Sequence, residues 1–191
     1  MKKLMIIAAM MLATLSVNAQ EFFIKPMAGG TLTTITGDVD DVKMKIGFTG
    51  GVELGYHFNE MFALTAGALY SMQGAKFDSD QTKSNYTFDY LNVPLLFNVY
   101  VAPGLALKAG GQLGFLLKAK LGDHDYKDYY KSTDISIPVG LSYEFDNVVI
   151  DARYNIGVSN ISKDEYMGVK NDYKAHNSVI MLTIGYKIPL N

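Results

Sequence analysis

Charged residues of both signs recur at alternate positions along this chain, within segments whose intervening positions are apolar. Residues two apart in a β-strand project from the same face, so Asp151 and Arg153 would lie side by side. Carboxylates and basic groups held this close can exchange a proton, line an ion pathway or neutralise one another. The positions that share this pattern are Lys25, Glu53, Lys108, Lys118, Glu144, Asp151 and Arg153.

Two polar stretches contain other residue types that catalysis or metal binding uses. His124 lies between Asp123 and Asp125, and with Ser132 it could form a nucleophile–base–carboxylate set, but no spacing enforces that geometry. The three aspartates of 38–41 suggest a calcium loop, yet the downstream bidentate Glu of an EF-hand is missing. We therefore predict no enzymatic activity, no cofactor and no metal site.

Tyrosines are concentrated in two of the polar stretches. A tyrosine offers rigid, amphipathic contact area, which suits the recognition of a protein or a glycan. Solvated loops with tyrosines at a membrane interface would explain the same composition. The candidate recognition residues are Tyr126, Tyr129, Tyr130, Tyr166 and Tyr173.

The elements that would position these residues have a period of two. Residues 133–145 and 148–160 alternate strictly between apolar side chains and small or charged ones, on either side of the turn Asp146-Asn147. This pattern predicts a β-hairpin. Its charged residues share a face with Gly and Ser, and the opposite face is apolar, as in a strand that exposes one face to lipid.

Eight such segments begin near residues 21, 45, 62, 87, 105, 133, 148 and 177, so that short and long connections alternate. We predict an all-β fold, an eight-stranded antiparallel up-and-down transmembrane β-barrel with short periplasmic turns. The long polar external loops would be 35–44, 77–86, 121–132 and 161–176. A soluble lipocalin-like barrel would need the opposite polarity, with the bulky apolar rows inside. Pro94 and Pro138 fall within predicted strands, where we expect a bulge or a local distortion.

The barrel model gives the charged residues a location. Eight strands leave an interior just wide enough for side chains to fill, and charges enclosed there must be paired. We therefore predict an ion-pair network that plugs the lumen, with a narrow pathway for ions or small solutes as the alternative. On the outside, the aromatic residues nearest the short turns would form an interfacial girdle of Phe22, Tyr56, Phe58, Phe62, Tyr143, Phe145 and Tyr186.

The chain begins with a pattern typical of export. Lys2 and Lys3 precede an apolar run and a small-residue cleavage site, so residues 1–19 are predicted to be a signal peptide cleaved after Ala19. Residues 20–191 would then form one barrel domain. Cysteine is absent, which excludes disulfides and thiolate sites, and the formal net charge of −2 gives no reason to expect nucleic-acid binding.

Two runs carry a resemblance to a known family. YLNVPLLFNVYVAPGLALKAGGQLGFLL at 90–117 and ISIPVGLSYEFDNVVIDARYNIGVSNI at 135–161 resemble the PorT-like outer-membrane β-barrels. The likeness implies a small eight-stranded barrel in the outer membrane of a Gram-negative bacterium, and the founding member takes part in protein secretion. The C-terminus, from Thr183 to Leu190, is similar to the signal that the outer-membrane assembly machinery reads.

These observations predict a non-enzymatic outer-membrane protein whose tyrosine-rich external loops bind a partner or a surface. The alternatives are a narrow channel and an accessory component of a protein secretion system. The expected partners are outer-membrane lipids, the assembly machinery at the C-terminal strand, and a protein or glycan at the loops.

Overall fold

The structure is a computed structural model that describes residues 22–37, 42–79, 82–121, 124–162, 165–166, 169–170 and 174–190. The predicted signal peptide and its cleavage after Ala19 lie outside the described residues and stay predictions. Within the described part, no helix is long and apolar enough to cross a membrane.

Eight long strands form the molecule: β1 Phe22–Gly37, β2 Lys45–His57, β3 Phe62–Ser79, β4 Thr82–Ala102, β5 Leu105–Leu121, β6 Thr133–Phe145, β7 Val148–Gly157 and β8 Ala175–Tyr186. Each strand is antiparallel to its neighbours. β8 pairs with β1 from Gly185 opposite Met27 to Ala175 opposite Gly37, which closes the sheet. The prediction of an eight-stranded antiparallel barrel is confirmed.

Short elements extend the barrel at its ends. Three two-residue strands add to the walls: Val42–Lys43 pairs with β3, His124–Asp125 with β5, and Ile188–Pro189 with β1. Glu165–Tyr166 and Val169–Lys170 pair with each other, and Lys127–Tyr129 forms a single 3-10 turn.

The polarity of the wall is that of a membrane barrel. Outward side chains such as Leu182 and Ile184 are 58% and 62% exposed, whereas Asp151 and Arg153 are buried. Burial of charges with exposure of leucine and isoleucine is stable only where the outer solvent is lipid. The arrangement is therefore the reverse of the lipocalin-like alternative.

Aromatic side chains cluster at the end of the barrel that carries the short turns. The ring centroids of Phe22 and Tyr56 are 4.6 Å apart, those of Tyr56 and Phe58 are 5.1 Å apart, and those of Tyr143 and Phe145 are 4.4 Å apart. Aromatic side chains at the ends of membrane-spanning strands lie at the level of the lipid headgroups. The cluster marks the periplasmic boundary, because outer-membrane barrels keep their short turns on that side.

The predicted loop 77–86 was wrong, because β3 continues to Ser79 and β4 already begins at Thr82. Beyond the membrane both faces of a strand meet water, so the apolar–polar alternation disappears while the backbone pairing continues. The expected distortions at the prolines are confirmed as gaps in the pairing without a change of register. The β3–β4 ladder stops at Ala66–Leu95 and resumes at Leu69–Asn92, and the β5–β6 ladder skips Pro138 in the same way.

Candidate functional site in the lumen and at the extracellular rim

Arg153 is the centre of the ion-pair network in the lumen. Its Nε lies 2.5 Å from Oδ1 of Asp151, and its Nη2 lies 2.8 Å from Oδ2 of the same carboxylate. Nη1 lies 2.6 Å from Oε1 of Glu53 on β2. The forked guanidinium thus binds the Asp151 carboxylate through two nitrogens and Glu53 through the third, and this bidentate geometry is one that a lysine ammonium cannot reproduce.

Two lysines complete the network. Lys25 Nζ lies 2.7 Å from Oε2 of Glu53 and 3.8 Å from Oδ2 of Asp151, and Lys108 Nζ lies 2.5 Å from the same Oδ2. All five side chains are at most 5% exposed. Strands β1, β2, β5 and β7 are therefore braced across the lumen by three cations and two carboxylates.

Glycines on neighbouring strands make room for these long side chains. Gly140 lies opposite both Arg153 and Lys108, and a Cβ at position 140 would come within 3.1 Å of Arg153 Cγ. A Cβ at Gly185 would come within 3.0 Å of Lys25 Cγ. Gly140 and Gly185 are thus sites over which the charged side chains lie.

Glu144 belongs to a second cluster, at the periplasmic end. It accepts hydrogen bonds from the Tyr100 hydroxyl at 2.6 Å and from Lys187 Nζ at 2.8 Å. Lys187 also lies 4.8 Å from the centroid of the Phe23 ring, and the His57 ring is 5.2 Å from that ring. The predicted set of lumen charges is therefore divided between two layers. Tyr100 and His57 escaped the sequence analysis because their role depends on contacts across the barrel.

The prediction that Lys118 faces the lumen was wrong. Its side chain is 52% exposed, because the β4–β5 register shifts by one residue between Tyr90–Leu116 and Asp89–Lys118. Leu117 is the extra residue of this β-bulge, and a bulge reverses the alternation beyond it. Lys118 consequently points outward, as Leu117 does.

An apolar cluster fills the extracellular mouth. Its buried members are Ile35, Ala75, Phe88, Tyr90, Leu116, Ala119, Ile161 and Ala175. The Tyr130 ring packs against Phe88 with 4.7 Å between centroids, and the Lys131 amide donates to the Ile161 carbonyl at 2.9 Å. Segments that follow β5 and β7 therefore close the mouth from above.

The predicted recognition tyrosines have different surroundings. Tyr126 precedes the 3-10 turn and Tyr129 ends it; the centroids of their rings are 5.3 Å apart, and Tyr129 is 42% exposed. Tyr130 turns inward to the apolar cluster instead. Tyr166 pairs through its backbone with Val169, and Tyr173 lies outside the described residues. Only the first pair thus has described side chains on the outer surface of a loop.

A serine, an aspartate and a histidine that the sequence analysis did not select meet near the extracellular rim. Ser159 Oγ donates to Asp134 Oδ1 at 2.6 Å and accepts from the Ile135 amide at 2.8 Å. The His176 ring contacts the backbone carbonyl of Ser159 at 2.8 Å, and Asn177 donates to the second Asp134 oxygen at 2.9 Å. Because the imidazole does not reach the serine hydroxyl, this set is a clamp that fastens the end of β7 to β6.

The structure describes few of the side chains that were considered for catalysis or metal binding. Of Asp123, His124 and Ser132, only Ser132 has a described side chain, and it is exposed. The aspartates of 38–41 lie outside the described residues. Among the side chains that are described, no three His, Asp or Glu residues converge as a metal site.

A closed barrel with an apolar outer wall, an aromatic girdle and a charge-paired lumen defines an integral outer-membrane β-barrel. The chain belongs to the family of the outer membrane protein beta-barrel domain, whose model matches residues 13–163. None of the curated proteins compared with the chain matches it significantly.

Solved structures share the fold. The attachment invasion locus protein Ail of Yersinia pestis is 20% identical with a TM-score of 0.53, and the alignment covers 88% of this chain and 99% of Ail. Neisserial surface protein A is 17% identical with a TM-score of 0.55, covering 88% and 97%. OprG from Pseudomonas aeruginosa is 15% identical with a TM-score of 0.50, covering 88% and 96%.

Proposed function

We propose that this protein is a non-enzymatic outer-membrane barrel that binds a protein or glycan through its external loops, on a rigid and non-conducting support. The observation that carries the proposal is the filling of the lumen. Within the described residues, the Glu144 cluster, the central ion pairs and the apolar cluster lie in succession from the periplasmic end to the extracellular mouth. Such an interior leaves the outer ends of the barrel as the surface available to a partner.

The ion-pair network argues against the channel alternative. Moving an ion through the centre would require separation of Arg153 from Glu53 or Asp151, and breaking one buried pair costs about 3–5 kcal/mol. The test is planar-bilayer recording of the pure protein. We expect no steady unit currents, and reproducible currents of one size would overturn the plugged lumen.

The surface around Tyr126 and Tyr129 supports the binding role. Two contacts hold the 3-10 turn that carries Tyr129. The ring of Tyr130 packs against Phe88, and the Tyr126 amide donates to the Ala119 carbonyl at 2.9 Å. Two adjacent rings on a fixed backbone lose little conformational entropy on binding. Ail, the similar barrel of Y. pestis, has been solved in complex with the heparin analogue sucrose octasulfate, which makes sulfated glycans one class to test.

The binding test uses the barrel in lipid nanodiscs against arrays of glycans and extracellular proteins. Replacing both tyrosines, Tyr126→Ala with Tyr129→Ala, should abolish the interactions that the native protein makes. Tyr143→Ala removes the same side chain from the periplasmic girdle and serves as the control. Equal losses in both proteins, or no binding by the native protein, would defeat the proposal.

A second candidate rests on the finer resemblance to PorT-like barrels. It is supported by the Tyr-Leu-x-x-Pro-Leu-Leu run from Tyr90 and the Asp-x-Arg-Tyr run from Asp151, and it would make the protein an accessory component of a secretion system. Purification from gently solubilised outer membranes tests this role. A stoichiometric companion that also binds components of the export apparatus would favour it, whereas recovery of the barrel alone would exclude it.

A further inference from the structure

The central ion-pair network contains one more cation than it contains carboxylates. Lys25, Lys108 and Arg153 carry three positive charges, whereas Glu53 and Asp151 carry two negative ones, and all five side chains are at most 5% exposed. Among the described residues, no third carboxylate lies within ion-pair distance of the three cations. Burial of an uncompensated charge is costly, so one further negative charge would stabilise the network.

The other inward-facing carboxylates of the described part have different partners. Glu144 Oε2 lies 2.8 Å from Lys187 Nζ in the periplasmic layer. Asp134 is held at the extracellular rim by hydrogen bonds from Ser159 and Asn177. Neither carboxylate therefore compensates the central network, and a bound anion would balance its charge directly.

Hydrogen-bond donors for such an anion lie beside Lys108. The Lys108 side chain crosses β6 over Gly140 to bring Nζ to Asp151 Oδ2, and this contact uses one of the three ammonium N–H groups. Ser142, the next inward residue of β6, is fully buried, and its hydroxyl makes no hydrogen bond to any described residue. An ammonium and a hydroxyl both donate hydrogen bonds, so together they can hold an anion.

We propose that the lumen binds one monovalent anion, chloride, between Lys108 Nζ and the hydroxyl of Ser142. A single negative charge balances three cations against two carboxylates. Ala106 faces Ser142 across the β5–β6 pairing, and this small side chain leaves room for an ion beside the hydroxyl. The inference is independent of the partner proposed for the loops. It also agrees with a non-conducting lumen, because the ion compensates charge without crossing the barrel.

The test is equilibrium urea unfolding of the full barrel in phosphatidylcholine vesicles, at increasing chloride concentrations, with gluconate added to keep the ionic strength constant. We expect the unfolding midpoint of the native protein to rise with chloride, because a ligand that binds only the folded state stabilises it. Unfolding opens the barrel, so the equilibrium includes the ion even if it cannot enter the closed lumen. In crystals grown with bromide, anomalous scattering should locate one halide beside Lys108 and Ser142.

Three variants test the charge and the donor separately. Lys108→Met removes the extra cation, and Asn98→Asp places a carboxylate directly opposite Lys108 in the β4–β5 pairing. Both changes balance the network without chloride, so both variants should lose the chloride response, whatever their overall stability. Ser142→Ala keeps the excess charge but removes one donor, and it should bind chloride about tenfold more weakly.

Ser136→Ala is the matched control, because it removes a buried hydroxyl from the same strand, where Ser136 accepts a hydrogen bond from Gln112. This variant should respond to chloride as the native protein does. Equal responses of the native protein and Asn98→Asp would indicate a general salt effect. A native protein that does not respond to chloride would show that the network is balanced by a neutral amine at Lys108. Either result, or loss of the response in Ser136→Ala, would overturn the proposal.

Discussion

Glu53 lies directly opposite Gly67 in the β2–β3 pairing, and its Cγ occupies the space that a side chain at position 67 would need. A Cβ there would be 2.8 Å from Glu53 Cγ and 3.1 Å from the Val52 carbonyl oxygen. The glycine is thus part of the ion-pair site, although it carries no charge.

Gly67→Ala should destabilise the barrel by about 1–3 kcal/mol, because the new methyl group displaces Glu53 from Lys25 and Arg153. The measurement is the urea unfolding midpoint in phospholipid vesicles. Gly111→Ala is a matched control, since a Cβ at position 111 meets nothing within 4 Å. Similar midpoints for the two variants would refute this account of Gly67.

Glu53→Gln should cost about 3–5 kcal/mol, because three buried cations would then share the single carboxylate of Asp151. Lys118→Gln should change stability by no more than about 0.5 kcal/mol, as expected for a half-exposed residue outside the network. Heat-modifiable gel mobility and urea unfolding measure both. A large loss with Lys118→Gln would mean that this lysine belongs to the lumen after all.

Phe88→Ala should loosen the segments that cover the mouth, because Tyr130 and Ile161 lose the ring against which they pack. Removal of a buried phenylalanine costs about 3–5 kcal/mol. In intact cells, external protease should cut between β5 and β6 faster in this variant. Tyr129 lies on the outer side of the 3-10 turn between β5 and β6, so Tyr129→Ala should leave the cleavage rate unchanged. Faster cleavage of the Tyr129→Ala variant would contradict the assignment of Tyr129 to the outer surface.

Ser159→Ala should destabilise the protein by about 1–3 kcal/mol, because Asp134 loses a hydrogen-bond donor and the Ile135 amide loses an acceptor. A fluorophosphonate probe distinguishes a clamp from a catalytic serine. We expect no labelling of the native protein. Labelling that disappears in both Ser159→Ala and His176→Ala would instead identify a nucleophile.

The sequence predicted the fold well because lipid imposes one rule on every strand. The alternation placed the starts of β2, β3, β5, β6 and β7 at the observed residues and the starts of β1, β4 and β8 within five residues. It failed where that rule stops acting. β3 and β4 extend into water, where polar residues occupy both faces of a strand and the apolar–polar alternation is lost. The bulge at Leu117 reverses which residues of β5 face inward, and no Gly or Pro at that position indicates it in the sequence.

The arrangement of the charged residues was likewise predicted only in part. The alternation along each strand was enough to indicate that Glu53, Asp151 and Arg153 share the interior. It could not indicate which lysine pairs with which carboxylate, since that depends on the tilt and stagger of distant strands. Glu144 was grouped with the central charges for the same reason, although it bonds Tyr100 and Lys187 at the periplasmic end.

The central network also links strands on either side of the seam that closes the barrel. Lys25 on β1 reaches Glu53 on β2 and Asp151 on β7, and β8 lies between β7 and β1 in the wall. An open sheet could not bring Lys25 to Asp151 or Arg153 to Glu53, since these residues lie on opposite sides of the seam between β8 and β1. Closure of the barrel is therefore accompanied by the formation of ion pairs across the lumen, and these pairs favour the closed form over the open sheet.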